Sequence, residues 1–393
     1  ALDELERLYA VTARWDDLAE LLRGRIEGTT SETVARVHRL TLADVLEKRV
    51  RDISAAVDQY EQILVADVDN RVAIAALERL ILQADYRQRV GEILEPIYRK
   101  HDWWQKLVVV LDAQLEFVDN VPRRIEMLKE IAAIHYNRGG AMSKAYRSMA
   151  IAWQEDVTSD ETYGQLCVLA EKLGAWEPLV ETLEGALVNL YDPELIATVH
   201  RDLARVYEEK INDTAQAVVA WQRVLENKDD DLVALKALER IFSNERRPAE
   251  LLAILRRRAD LAPDVERRDL LVRVAELHDK GLGQPDEAAE TWEQVLSIEP
   301  GFWPALNALD ELHRGRQNYQ AVVDVIARKL EFSEDLSDRR DLRFRAAKIY
   351  EEKLADSLQA IAHYRQIGEE FPEDVDALAA LDRLYEKEES WRE

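Results

Sequence analysis

PDEAAETWEQVLSIEP, Pro285 to Pro300, sets Ala288, Trp292, Val295 and Leu296 on one face of a helix rather than on alternate sides of a strand. Asp286 stands just before the apolar positions, where a carboxylate can accept from free backbone N–H groups, and Pro300 stops the segment. An aromatic recurs elsewhere in the chain, at Tyr60, Trp153, Trp221 and Tyr364, so this segment reads as one copy of a repeat.

Two further marks move with the aromatic. A Leu-x-x-Leu phrase places Leu8, Leu80, Leu169, Ile241, Leu312 and Leu384 at steps of 72, 89, 72, 71 and 72 residues. An apolar-Ala pair recurs at Ala43, Ala132, Ala204, Ala275 and Ala347, followed three residues later by Leu46, His135, Tyr207, His278 or Tyr350. The opening ALDELERLYAVTARWDD and the closing ALAALDRLYEKEESWRE therefore share one phase, Trp15 with Trp391. The expectation is a piece of a longer array without a polar capping helix at either end, to which end-to-end self-association is open. Four helices fit in each 72-residue period, joined by turns such as GTTSE, ADVDN, NKDDD and EFPED.

The expected fold is an all-α solenoid of about twenty helices in a single array over 1–393. Its units are about 1–79, 80–168, 169–240, 241–311 and 312–383, with a partial unit at 384–393. The one step of 89 residues puts a 17-residue insert near 81–97, about one helix long. An odd helix should disturb the regular alternation, and Pro96 should break the insert.

Half of each unit resembles the tetratricopeptide repeat, a helix-turn-helix of about 34 residues. Its pattern of small residue, Ala, aromatic and Pro is matched by Ala275, Ala288, Trp292 and Pro300, and by Ala347, Ala360, Tyr364 and Pro372. Ala204, Ala217 and Trp221 follow it with Asp229 in place of the Pro, and Ala43, Ala56 and Tyr60 follow it in the first unit. The second unit departs: Met149 is read in place of the Ala, and NRGGAMSK as a turn four residues longer. The other half of each unit is a degenerate version of the same hairpin. The chain as a whole resembles a stretch of a long bacterial array of this family. The resemblance implies a right-handed superhelix with the first helix of each hairpin on the concave face, and peptide segments as ligands.

Composition narrows the partner. The chain of 393 residues has a net charge of −25, so binding to nucleic acid or an anionic membrane would need a local basic patch. No apolar run is long enough to span a bilayer, so no membrane insertion is expected. A single cysteine, Cys167, fits a reducing, cytoplasmic setting and reads as a buried inert thiol.

No catalytic, metal or cofactor constellation emerges. The seven histidines show no i, i+4 pair, and His135 and His278 stand where the repeat has an aromatic, which makes them core residues. GLGQPDEA (281–288) is a turn between helices rather than a phosphate loop, and Asp229 to Asp231 is a solvated loop before a helix. The expectation is a non-catalytic scaffold that binds a protein or peptide along its groove, or the recruiting arm of a larger assembly whose active part lies elsewhere. Residues placed outward are Arg201, Arg205, Phe344 and Lys348 on the regular hairpins, and Arg79, Lys236, Arg240 and Asn307 on the degenerate ones. Together they form a cationic strip to which a carboxylate-bearing segment could bind. Trp103 and Trp303 fall out of phase and read as exposed anchors.

Overall fold

Capping side chains set where many of the helices begin. Asp52, Asn70, Asn120, Ser159, Asp213, Asp231, Asn318 and Asp356 each accept a backbone N–H from the first turn of the helix that follows. Asp286 is not among them: its helix starts at Pro285 with Gln284 in the capping position, and Asp286 pairs with Arg316 instead. The computed structural model describes residues 2–387, and Trp391 lies outside them. Among the described residues there are 22 α-helices and no strand.

The chain divides into two compact units, Ala1–Leu195 and Ile196–Glu393. The first holds α1 (Leu2–Val11), α2 (Trp15–Gly28), α3 (Glu32–Val45), α4 (Ile53–Ala66), α5 (Arg71–Leu80), α6 (Ala84–Lys100), α7 (Trp104–Leu115), α8 (Val121–Asn137), α9 (Met142–Glu155), α10 (Asp160–Leu173) and α11 (Trp176–Leu187). Helix α12 (Pro193–Val206) crosses the division. The second unit continues with α13 (Thr214–Asn227), α14 (Leu232–Asn244), α15 (Pro248–Leu261), α16 (Asp264–Glu276), α17 (Pro285–Ile298), α18 (Trp303–Gly315), α19 (Tyr319–Phe332), α20 (Leu336–Ile349), α21 (Ser357–Glu370) and α22 (Val375–Lys387). Within each unit helices pack on their neighbours in sequence, which is the contact pattern of a solenoid.

Paired alanines allow this packing. Ala43 and Ala56, Ala204 and Ala217, Ala275 and Ala288, and Ala347 and Ala360 have no exposed surface. The second repeat is more regular than its sequence suggested. The Ala141 N–H bonds the His135 carbonyl, as Asp52 bonds Leu46 in the first repeat, so the turn carries no extra residues. Ala145, also without exposed surface, takes the alanine position; Met149 takes that of Tyr60, and Trp153 lies one turn beyond.

The insert is a single helix. Helix α6 packs on both α5 and α7, so it serves as the second arm of one hairpin and the first arm of the next. It runs unbroken through Pro96. The ring removes one hydrogen bond, but Leu94, Ile97 and Tyr98 are buried on either side of it and hold the backbone in register. Tyr98 and Trp103 meet here at 5.9 Å, with Lys106 over both rings.

Buried ion pairs recur between degenerate hairpins and their neighbours. Glu239 binds Arg258 and Arg273, and one repeat later Asp310 binds Lys329 at 2.7 Å and Arg345 at 2.7 Å. Asp310 is 3% exposed and Lys329 4%, so each depends on the other for neutralisation. Burial pushes the Asp310 carboxyl up, but the hydrogen bonds from Arg345 and Lys329 outweigh it and hold the group below its ordinary 3.8.

Two outcomes are expected. Ala204→Leu, Ala275→Leu or Ala347→Leu should overpack its hairpin and cost about 1–3 kcal/mol in thermal or urea unfolding. Asp310→Asn should cost roughly 3–5 kcal/mol at pH 7, because Lys329 is left buried without its counter-charge. A carboxyl held low in the folded state contributes stability above its unfolded value, and that stability is lost as pH falls. The wild-type chain should therefore weaken below about pH 4, and Asp310→Asn should flatten that acid limb.

Candidate functional site

In four of the five regular hairpins the turn between the two helices is built from one π-helical turn; the α8–α9 hairpin lacks it. It recurs at Leu46–Val50, Tyr207–Ile211, Leu277–Gly281 and Tyr350–Leu354. In three of these the next residue is left-handed: Arg51, Asn212 and Ala355 at φ of 70°, 60° and 56°. The helix then restarts on Asp52, Asp213 or Asp356.

The second residue after each apolar-Ala-x-x mark is thereby presented to the next hairpin. In three repeats it is a glutamate, and an arginine 32 residues on reaches it: Glu47 with Arg79 at 2.5 Å, Glu208 with Arg240, and Glu351 with Arg383 at 2.7 Å. The repeat aromatic adds a third contact. The Tyr60 hydroxyl donates to Glu47 at 2.8 Å, and the Trp221 indole N–H donates to Glu208 at 3.3 Å. Burial first, then the nearby Glu351 charge, pushes the Tyr364 phenol up to about 12. The arginine thus closes the notch between the first helices of successive hairpins.

Two repeats lack this arginine, and at both a cavity of about 560 Å³ lies at matching positions. Between α8 and α10, Tyr136 and Val168 replace the pair. That notch is lined by Ala132, Ala133, Met149 and Leu169, with the Lys172 ammonium 4.8 Å from the centre of the Tyr136 ring. Between α16 and α18, Asp279 and Glu311 replace the pair. Here Val272, Trp292, Ala308 and Leu312 form the apolar lining, with Glu276 and Asn307 beside them. Two cations also border this notch. Arg316 is paired with Asp286 at 2.5 Å, and Lys280 lies 4.0 Å from Glu276. Among the described residues no ion pair engages Asp279 or Glu311.

The residues of the expected cationic strip fall into three groups. Arg79 and Arg240 are closing arginines, and Arg201 holds the helix-capping Asp231 at 2.7 Å; at 6% exposure Asp231 is not the solvated loop residue expected, because capping α14 and pairing with Arg201 bury it. Arg205 lies 3.7 Å from Asp202, and Lys236 is exposed on α14. Phe344 and Lys348 come together, the ammonium 5.6 Å from the ring centre, and line a third cavity of about 410 Å³ with Tyr319 and Arg345. Asn307 lines the acidic notch. Trp103 precedes α7 and stacks on His101 at 4.9 Å, and Trp303 opens α18 at comparable exposure.

His278 is buried; its Nε2 accepts from Arg256 at 2.9 Å while Nδ1 faces the side-chain Oε1 of Gln284 at 2.8 Å, so the proton belongs on Nδ1. His135 is buried as expected, but Cys167, expected to be buried, is half-buried on α10. Sequence reading missed Tyr136, Val168, Asp279 and Glu311. Their signal was present as a glutamate and an arginine 32 residues apart, kept in three repeats and broken in two.

Arg240→Met should open a third such notch. The pair is half-exposed, so the expected cost is about 0.5–1.5 kcal/mol in thermal unfolding, partly recovered by Arg240→Lys.

With the geometry in place, the chain can be set beside known proteins. Residues 234–269 and 341–374 each match a model described as a tetratricopeptide repeat. None of the curated proteins compared with the chain matches it. Among solved structures, it is similar to a tetratricopeptide repeat protein from Parabacteroides merdae, at 15% identity and TM-score 0.28, over 67% of this chain and 99% of that one. It is similar to pilF of Pseudomonas aeruginosa at 14% identity and TM-score 0.25, over 68% of this chain and 99% of that one. YrrB, described as having an unusual peptide-binding site, aligns at 16% identity and TM-score 0.27, over 47% of this chain and 91% of that one.

Proposed function

This chain carries tetratricopeptide repeats, and on that premise we propose that it is a non-catalytic scaffold binding segments of partner proteins in its open notches. One observation carries the reading: the cavities between α8 and α10 and between α16 and α18 occupy equivalent places, in the two repeats whose closing arginine is gone. An unfilled apolar notch beside helix faces of mixed charge suits a partner side chain. Burying one aliphatic side chain there supplies roughly 1.5–3 kcal/mol, and several such anchors along a segment give useful affinity. Phe344 and Lys348 offer a further anchor position, apolar and cationic together. A protein ligand fits the charge better than nucleic acid does, since the net charge of −25 repels phosphates.

Gly164 tests this reading directly. It lines the notch between α8 and α10, and a Cβ added there meets nothing within 4 Å. Gly164→Leu should raise the melting temperature, because it removes a helix glycine. It should also lower the binding of peptides selected on the wild-type chain by tenfold or more, at roughly one apolar anchor lost. Unchanged peptide binding in a stabilised variant would falsify the site assignment.

A further inference from the structure

We propose that the notch between α16 and α18 binds an arginine side chain of a partner protein, held between Asp279 and Glu311. The inference rests on the scaffold reading and names the chemistry of one of its sites. Its basis is a comparison within the chain. At the same place in three other repeats, the acid on the π-helical turn is met by an arginine of this chain: Glu47 by Arg79, Glu208 by Arg240, Glu351 by Arg383. The architecture therefore receives a guanidinium at this point as its ordinary state. In the α16–α18 repeat the acid is kept as Asp279, but the arginine has become Glu311.

Two carboxylates now face a cavity of about 560 Å³ in which the chain supplies neither with an ion-pair partner among the described residues. The neighbouring cations do not substitute. Arg316 is drawn to Asp286 on α17, and Lys280 extends toward Glu276. The remaining lining fits the rest of an arginine. Val272, Trp292 and Leu312 provide an apolar wall for its aliphatic stem, and the carboxylates accept from its fork of N–H donors. A planar fork engages two acids at once, whereas an ammonium is a point charge, so arginine is favoured over lysine. The matching notch between α8 and α10 carries Tyr136 and Val168 in place of the acids, and so provides an internal contrast.

The test uses the intact chain and pools of fluorescein-labelled decapeptides, random except for one central residue fixed as arginine, lysine or citrulline. Citrulline keeps the shape of arginine and removes its charge. Anisotropy titrations should show the arginine pool binding about tenfold tighter than the citrulline pool, with lysine between. Glu311→Arg rebuilds the internal closure seen in the sibling repeats. It should abolish the arginine preference while raising the melting temperature. Glu311→Gln leaves the notch open and should reduce the preference without closing it. Peptides that bind with no arginine preference, or a preference that survives both variants, overturn this inference and leave the scaffold reading standing. Failure of every pool to bind removes both.

Discussion

Pairs of alanines without exposed surface fix the distance between the two helices of each regular hairpin, and the rest of the array depends on that distance. Ala275 and Ala288, and Ala347 and Ala360, are fully buried, and a larger side chain at any of them should overpack the hairpin. Close approach brings the large residue one turn along, Trp292 or Tyr364, into the space between neighbouring hairpins, where it is buried, with Trp292 still bordering the α16–α18 notch. A hairpin on its own could not cover that ring, so each repeat is completed by the one after it.

Charge then decides how the hairpins lock. Despite a net charge of −25, the arginines are not scattered counter-ions. Many sit about one hairpin away from an acid: Arg36 on Asp67, Arg124 on Glu155, Arg268 on Glu299, and Arg79 on Glu47. Half-buried pairs of this kind contribute modestly to stability, and a one-turn slip would separate each acid from its cation, at most cost for the nearly buried Glu47. The closing arginines have a second effect, since the same side chain that locks two hairpins also spans the mouth between them.

Function in such an array can therefore arise by subtraction. Replacing a closing arginine by valine leaves an apolar notch beside Tyr136; replacing it by glutamate leaves an acidic one beside Asp279. Both notches lie between the first helices of successive hairpins, each beside a fully buried alanine of the second helix, Ala145 or Ala288. Two notches of different lining thus arise, each with one locking contact fewer.

The repeat was legible because it is written in spacing. Apolar residues at a period of 3.6, and marks 71 or 72 residues apart, report helix faces and hairpin lengths, which are local properties of the chain. The buried places of His135 and His278 followed from the same periodicity. Tertiary packing alone decided the rest. Leu94, Ile97 and Tyr98 carry α6 through Pro96, because burying their side chains outweighs one lost hydrogen bond. Packing also returned Ala145 to the alanine position and moved Trp153 one turn on, which letter-matching had read as a longer turn. Above all, the sequence showed Arg79, Arg201 and Arg240 as outward cations, since a helix face records only which way a side chain leaves the backbone. Whether such a cation meets solvent or an acid on another hairpin is set by the distance between hairpins, and the alanine pairs fix that distance only once the chain has folded.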